Sequence, residues 1–179
     1  MLTIVLLVLL TAIIAFLVIA YMQPDEFRVT RSIRMKAPPQ IPFDLVNDFR
    51  KWAFWSPWAK LDPAAKNHFE GAPVGTGSIF SWDGNRHVGA GRMTIEESYP
   101  SKSIKIKLEF FKPMKGLCTA DYTFKPEGEL TEVTWSMHGK NNLMDKAMSL
   151  IMNCEKMTGG MFEKGLAAMK DIAEKGAAS

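Results

Sequence analysis

The chain has 179 residues and a formal net charge of +3 at pH 7, with 22 basic and 19 acidic side chains. Basic and acidic residues alternate along its length, so the concentrated positive patch of a nucleic-acid-binding protein is not expected. Removing the first 22 residues leaves 157, the size of one ordinary domain that folds without disulfides or structural metals. Cys118 and Cys154 fall within apolar patterns, and we predict that both are core side chains rather than a disulfide.

The first segment, Leu2 to Ala20, contains no charged residue. Its 19 residues would form a helix about 28 Å long, close to the hydrocarbon thickness of a bilayer. A secretory signal is the alternative, and Val18-Ile19-Ala20 is an acceptable cleavage context. However, no basic residue precedes the apolar run, and the run exceeds the usual signal core of about 7–15 residues. We therefore predict a transmembrane anchor over residues 1–22 and a water-soluble domain over residues 23–179.

A short linker, Tyr21 to Glu26, joins the anchor to the domain and contains Pro24. Fully extended, it spans about 20 Å, which keeps the domain close to the membrane. Four basic residues follow it: Arg28, Arg31, Arg34 and Lys36. By the positive-inside rule they favour a single-pass membrane protein with its domain on the cytoplasmic side.

The domain begins with alternating residues that predict a strand over Phe27 to Lys36, whose apolar face is interrupted by Arg31. Prolines follow, and short helices are predicted over Ile41 to Phe49 and Arg50 to Phe54. Six further strands are then predicted: Lys66 to Glu70, Gly77 to Trp82, Gly91 to Ser98, Ser103 to Phe111, Leu117 to Phe124 and Glu132 to His138. Asp83-Gly84-Asn85 has the composition of a hairpin turn between the second and third of these. One face of each strand is apolar and the other polar, as in an antiparallel sheet with one covered face.

The last segment has apolar residues at steps of three and four from Leu143 to Glu174, which predicts one long amphipathic helix. Asn142 can cap its start, and Asp145 favours its first turn. Three glycines lie within it, and they predict a bend or a face that leaves room beside the sheet: Gly159, Gly160 and Gly165. The element order therefore predicts an α+β fold, with a curved antiparallel sheet around a long C-terminal helix and one N-terminal transmembrane helix before it.

Several segments match a known family in both order and motif. They are Phe27 to Ile33, Ala37-Pro38-Pro39, Trp52 to Trp58, Gly89 to Met93, Thr131 to Trp135 and Phe162 to Leu166. The chain resembles the polyketide cyclase/dehydrase and lipid-transport superfamily, also called SRPBCC, over residues 27–174. The resemblance implies the helix-grip fold of START and birch-pollen-allergen-like domains. It implies no single activity, because the superfamily includes lipid carriers, cyclases, hydratases and co-chaperone-like modules. None of the matching segments contains a catalytic motif of the family.

Strand parity and helix phase select the side chains that would line an apolar space between the sheet and the last helix. The candidate ligand-binding residues are Trp82, Met93, Leu108, Tyr122, Trp135, Met137, Met157 and Met161. Flexible, polarisable thioethers suit an adaptable pocket, although the same methionines would serve as ordinary core. The Tyr122 hydroxyl, predicted to point inward, would need a backbone partner or a ligand.

Other groups of residues have two interpretations each. The tryptophans between Trp52 and Trp58 would either hold the short helices against the sheet or enter the bilayer interface. The lysines from Lys102 to Lys115 would either form a solvated sheet face or attract anionic lipid. The three histidines, His68, His87 and His138, show no metal-ligand spacing, and His138 is expected at the surface. No metal site and no cofactor is predicted.

Three functions are compatible with this pattern. The first is a membrane-tethered binding domain for an apolar or amphipathic small molecule, which includes lipids. The second is a cyclase-like or dehydratase-like enzyme that uses an acid/base pair in the same space, with Tyr122 or a histidine beside a carboxylate. The third is a module that contacts a protein partner at the membrane through an exposed apolar patch. The sequence contains no direct sign of turnover and does not identify a protein partner.

Overall fold

The computed structural model describes residues 1–177 and confirms the predicted α+β helix-grip arrangement. Five α-helices are present in this part of the chain: α1 (Leu2–Tyr21), α2 (Gln40–Asn47), α3 (Trp52–Trp55), α4 (Leu143–Ile151) and α5 (Cys154–Ala177). Two 3₁₀ turns, Phe49–Lys51 and Pro57–Lys60, flank α3. The short helices follow the proline-rich stretch, as the sequence predicts.

Seven antiparallel strands form a single sheet in the order β1-β7-β6-β5-β4-β3-β2. They are β1 (Glu26–Met35), β2 (Lys66–Gly71), β3 (Ser78–Asp83), β4 (Ala90–Tyr99), β5 (Ser103–Lys112), β6 (Gly116–Glu127) and β7 (Leu130–Lys140). From β2 to β7, strands that are consecutive in the chain are neighbours in the sheet. β1 pairs with β7, so the first and last strands lie side by side at one edge.

The hairpin predicted at Asp83-Gly84-Asn85 is confirmed, because β3 and β4 pair antiparallel with Asp83 opposite Ala90, and residues 84–89 form the loop between them. The backbone amide of Asn85 donates to Asp62 Oδ2 at 2.6 Å, and the backbone amide of Gly84 donates to the carbonyl of Gly89 at 2.9 Å. The connection therefore extends as a loop toward the Asp62 segment.

The inner face of the sheet packs against α5 and the short helices. Alternation along β5 places Ile104, Ile106 and Leu108 in the core, and the same alternation holds on β6 and β7. From α5, Phe162, Leu166, Met169 and Ala173 complete this core. Their spacing of three and four residues puts them on one side of the helix.

The prediction of one continuous C-terminal helix is wrong, because the helix breaks after Ile151. Met152 has extended backbone angles, φ −125° and ψ 134°, and α5 begins at Cys154. The start was predicted correctly: Asn142 and Asp145 form a reciprocal capping box. Cys154 is exposed rather than part of the core, since the stripe that looked continuous belongs to two helices with different surroundings.

Among the described residues, α1 is the one helix long and apolar enough to cross a membrane. It carries no charged side chain, and all of its residues except Ala20 are exposed. Four residues separate its last residue, Tyr21, from the first residue of β1. The end of α1 also packs against α4, where Lys146 Nζ lies 3.3 Å from the carbonyl of Tyr21 and 2.5 Å from Asp25 Oδ1.

A candidate ligand site between the sheet and the C-terminal helix

The two ends of the sheet differ in how deeply their inner faces are buried. At one end of the sheet, β1 starts and β7 finishes next to α1, the helix predicted as a membrane anchor, and we call this end the anchor end. We call the opposite end, with Met35 and Thr131, the far end. At the far end, Met35 and Val133 are completely buried. Along β5, burial decreases from Ile104 and Ile106 through Leu108 to the partly exposed Phe110 at the anchor end.

Half-buried apolar side chains therefore collect at the anchor end of the inner face. They are Phe27, Trp82, Phe110 and Met137 from four strands. Met161 in the first half of α5 is also half-buried. Met93, Leu108 and Cys118 lie on the same face and are buried. The result is a continuous apolar surface that begins partly exposed and becomes buried toward the middle of the sheet.

Glycines make room for aromatic rings on this surface. A Cβ atom at Gly91 would lie 2.6 Å from the Trp82 ring, so the indole rests directly on the β4 backbone. The same ring meets Phe110 edge to face, with centroids 5.9 Å apart. On α5, a Cβ atom at Gly165 would lie 3.1 Å from the Trp135 ring. The predicted room beside the sheet is therefore present at Gly165.

Tyr122, Trp135 and Phe162 stack in the middle of the inner face. Tyr122 and Trp135 are cross-strand partners, and their ring centroids lie 5.0 Å apart. Trp135 and Phe162 are nearly parallel, at 7° and 3.9 Å. Trp52 and Trp55 meet Trp135 edge to face and are themselves buried. These two tryptophans therefore hold the short helices against the sheet rather than entering a bilayer.

Two polar atoms in this stack have no hydrogen-bond partner among the described residues: the hydroxyl of Tyr122 and Nε1 of Trp135. Neighbouring indoles differ, because Nε1 of Trp52 and Nε1 of Trp55 donate to the carbonyls of Val46 and Leu45, each at 2.9 Å. Leaving a buried donor unpaired costs about 1–3 kcal/mol, so such atoms call for an explanation. Burial raises the pKa of Tyr122 well above its ordinary value, which keeps the hydroxyl a donor.

Arg31, the charge that interrupts the inner face of β1, fastens the first half of α5 to the sheet. Its Nε donates to Glu163 at 2.7 Å, and its Nη2 lies 2.9 Å from Glu155. Hydrogen bonds from the guanidinium to Glu163 and then Glu155 raise the pKa of Arg31. A Cβ atom at Gly159 would lie 2.0 Å from Nη2, so this glycine gives the guanidinium its place between helix and strand.

The structure brings most of the predicted ligand-binding residues onto this surface. Met93, Leu108, Tyr122 and Trp135 are buried on it, and Trp82 and Met137 are half-buried on it. Met161 is half-buried in the first half of α5. Met157 lies apart, because its side chain is 58% exposed near the start of α5. Sequence reasoning did not select Phe27 and Phe110, although their alternation with charged residues placed both on the inner face.

Buried side chains of both elements fill the middle of the space between the sheet and α5, where Phe162 stacks on Trp135. Two depressions lie elsewhere, one along α1 and one of about 380 Å³ on the outer face of the sheet. The second includes Asp121 and His138, and the Oδ2 and Nδ1 atoms of this pair are 3.3 Å apart without the geometry of a hydrogen bond. His138 therefore lies on the outer face of β7, as predicted.

The chain matches the model of one protein family over residues 26–174, nearly the whole sheet and α5. Among curated proteins no match was found. Solved structures share the fold. The di-domain ARO/CYC StfQ from the steffimycin biosynthetic pathway has a TM-score of 0.62 and 13% identity, covering 86% of this chain and 52% of that chain.

Two smaller proteins are also similar along nearly their whole length. The Aha1 dimer from Colwellia psychrerythraea has a TM-score of 0.59 and 14% identity, covering 83% of this chain and 96% of that chain. Ara h 8.0201 has a TM-score of 0.54 and 10% identity, covering 83% and 97%. Identities this low indicate a common fold and leave function open. The match over residues 26–174 shows that the chain belongs to the polyketide cyclase / dehydrase and lipid transport family.

Proposed function

We propose that this protein binds an apolar or amphipathic small molecule of the lipid class between the inner face of the sheet and α5. The observation that carries the proposal is the pair of buried, unpartnered donors on Tyr122 and Trp135. They lie at the deep end of an apolar surface that is partly exposed at the anchor end. A ligand with an apolar body and one acceptor group matches both features.

The energetics favour such a ligand. An alkyl chain laid along Trp82, Phe110 and Met137 would gain about 0.8 kcal/mol for each buried methylene. An acceptor oxygen at Tyr122 and Trp135 would remove the cost of two unsatisfied donors. Apolar burial would therefore supply the affinity, and the two donors would set the orientation.

Binding requires the first half of α5 to move, since side chains fill the space in this structure. The first half of α5 is held by the stack of Phe162 on Trp135 and by the ion pairs of Arg31 with Glu155 and Glu163. Arg31 is 26% exposed, and the two glutamates are more than half exposed. Exposed ion pairs contribute little, about 0.2–1 kcal/mol each. The break at Met152 also separates α5 from α4, so the start of α5 has no continuous helix to restrain it.

The proposal includes a membrane tether. Residues 1–22 would anchor the protein, and residues 23–179 would form the binding domain. The support is the 20-residue apolar helix α1 with its exposed side chains, and the short connection from it to β1. The basic residues Arg28, Arg31 and Arg34 after the anchor favour the cytoplasmic side.

The test is native mass spectrometry of the full-length chain, released from detergent micelles after incubation with a total lipid extract. We expect a one-to-one adduct that survives removal of the detergent, and solvent extraction would then name its class. Tyr122→Phe and Trp135→Phe should each weaken the adduct about five- to tenfold, because each removes a hydrogen bond worth about 1 kcal/mol or somewhat more.

Trp55→Phe is the matched control, because it makes the same substitution in the same cluster on an indole that already donates to Leu45. It should lower stability without a comparable loss of the adduct. A bare polypeptide mass under every lipid condition would contradict the proposal. It would favour instead a module that binds a partner protein, for which the filled interior and exposed apolar residues of α4 are the supporting observations.

A cyclase-like or dehydratase-like reaction in the same space is the second candidate, and Tyr122 is the observation that favours it. Its hydroxyl is the titratable group inside the stack, and it has no carboxylate partner among the described residues. A phenol whose pKa is raised by burial is a poor general base and a serviceable hydrogen-bond donor or acid. In an enzyme it would therefore polarise a substrate carbonyl, and Tyr122→Phe would abolish turnover rather than only weaken binding.

A further inference from the structure

The apolar residues of α4 form an exposed stripe on the helix nearest to the anchor. It consists of Leu143, Met144, Ala147, Leu150 and Ile151. At 3.6 residues per turn these positions cover about 120° of the helix. Four of the five are large hydrophobic side chains with exposures from 37% to 71%, whereas a soluble helix normally buries such a stripe.

Helix α4, which carries the stripe, lies beside the end of α1, and three hydrogen bonds fix the placement of the helix. Lys146 is buried, and its Nζ bonds to the carbonyl of Tyr21 and to Asp25. The Lys146 ammonium, by hydrogen bond and charge, lowers the pKa of Asp25. Asn141 donates through its backbone amide to the carbonyl of Asp25 at 2.8 Å. Helix α4 is therefore attached to the last turn of α1 and the linker.

The tip of the β5–β6 hairpin belongs to the same end of the sheet. Phe111, Met114 and Leu117 are there, with exposures from 48% to 60%. The hairpin meets the anchor end because Cys118 pairs with Gly139, one residue before the end of β7. Lys112 and Lys115 alternate with these apolar residues along the chain, and Lys112 is paired with Asp83 at 3.1 Å.

We infer that the α4 stripe and the β5–β6 tip together insert into the interface of a phospholipid bilayer. This inference rests on the proposed membrane anchor, since a membrane that holds α1 brings its surface to the end of that helix. Apolar side chains of an amphipathic helix enter the boundary between headgroups and acyl chains, and lysines at the rim reach the phosphates. The half-buried apolar surface at the anchor end then faces lipid, and the ligand need not cross water.

The test introduces single cysteines into the full-length chain. Each variant is reconstituted in nanodiscs of phosphatidylcholine. Cys154→Ser removes the exposed thiol. Cys118 can stay, because it is buried and its thiol, with a pKa raised to about 12, takes up no label at neutral pH. An environment-sensitive fluorophore is then attached at Leu10→Cys in α1, Ile151→Cys in α4, Met114→Cys in the hairpin tip, or Glu129→Cys at the far end.

Quenching by lipids with a nitroxide near the headgroup is compared with quenching by aqueous iodide. The labels on α4 and the hairpin tip should be quenched several-fold more by the lipid nitroxide than the Glu129→Cys label, which should respond only to iodide. Replacing Met144 and Leu143 by glutamate should reverse the response at Ile151→Cys. Both side chains are exposed, so the fold, checked by circular dichroism, should be retained.

Three results would overturn the inference. If Leu10→Cys responds to lipid nitroxides placed deep in the bilayer while Ile151→Cys behaves like Glu129→Cys, the anchor stands and the α4 docking fails. If Leu10→Cys also responds only to iodide, the proposed anchor fails with it. If Ile151→Cys is shielded from both quenchers, a protein surface covers the stripe, and a second copy of the chain or another protein replaces the bilayer.

Discussion

The two ends of the inner face are built from the same strands and the same helix, yet their side chains are buried to different degrees. At the far end, Met35, Ile104 and Met169 are completely buried and fix α5 to the sheet. At the anchor end, Trp82 and Phe110 remain half-buried. In the first half of α5, Met161 is half-buried, and ion pairs of Arg31 hold the helix. If the proposed ligand site is correct, it lies in the less tightly packed part of the fold, where binding sites are expected.

The sharpest test of this difference compares two methionines of α5. Met169→Ala should lower the free energy of unfolding by about 2–5 kcal/mol, because it leaves a cavity in a fully packed region. Met161→Ala removes the same atoms from a half-buried position and should cost only about 1 kcal/mol. Urea titration of the full-length chain in detergent, followed by tryptophan fluorescence, measures both. Equal losses would mean that the two ends are packed alike.

The loss of folding stability at alkaline pH reports how well water is excluded from the middle of the sheet. Burial raises the pKa of Cys118 from 9.0 to about 12, so the folded state keeps a proton that the unfolded state releases. Stability is therefore complete below pH 9 and should fall by about 1.4 kcal/mol per pH unit up to pH 12. Tyr122, whose unfolded value is 10.0, adds to the loss above pH 10.

Cys118→Ala should move the onset of this loss from about pH 9 to about pH 10, where the contribution of Tyr122 begins. The exposed Cys154→Ala is the matched control and should leave the pH profile unchanged. The measurement is the free energy of unfolding at half-unit pH steps. An unchanged onset in Cys118→Ala would show that water reaches β6 in the native state.

The fastening of α5 at its first half can be tested with adjacent glycines. Gly160→Ala should raise stability by up to about 1 kcal/mol, since a Cβ atom there meets nothing within 4 Å and alanine favours the helix. Gly159→Ala should be about 1–2 kcal/mol less stable than Gly160→Ala, because its methyl group displaces the Arg31 guanidinium from Glu155 and Glu163. Equal melting temperatures of the two variants would show that the ion pairs of Arg31 do not hold α5 to the sheet.

The smallest expected effect concerns the unpartnered hydroxyl. Without ligand, Tyr122→Phe should leave stability unchanged or raise it by about 1 kcal/mol, because a buried donor with no partner is replaced by an apolar atom. With ligand bound, the same variant should show a smaller increase in melting temperature than the parent chain. A clear loss of stability without ligand would mean that the hydroxyl already has a partner, such as an ordered water.

The sequence was sufficient for most of the fold and for much of the candidate site. Strand alternation predicted the inward positions of Leu108, Tyr122 and Trp135, because period-two burial is a local property. The break between α4 and α5 was not predictable, because the apolar stripe continues from Leu150 to Cys154 in helical spacing, and the two halves differ in what covers them. The unpartnered donors could not be predicted either. The sequence does not distinguish an indole that donates a hydrogen bond, such as Trp55, from one that has no acceptor, such as Trp135.

Arg31 shows how a local anomaly gained its meaning from tertiary structure. It interrupted the apolar face of β1 in the sequence, and the glycine at position 159 looked like a helix defect. In the fold, the Arg31 guanidinium occupies the space that a Cβ atom at position 159 would take. The charge on β1 therefore explains the glycine in α5. Only a contact between positions 128 residues apart joins the two observations.

The four residues between α1 and β1 have a consequence for kinetics. At about 3.3 Å per residue they span at most about 13 Å, so a domain anchored through α1 stays above its own patch of bilayer. Its effective concentration relative to membrane lipid is then set by the tether and does not depend on how much protein the cell makes. Encounters with ligand would follow two-dimensional diffusion in the membrane, and lengthening this connection with glycine and serine should slow loading without changing the affinity of the site.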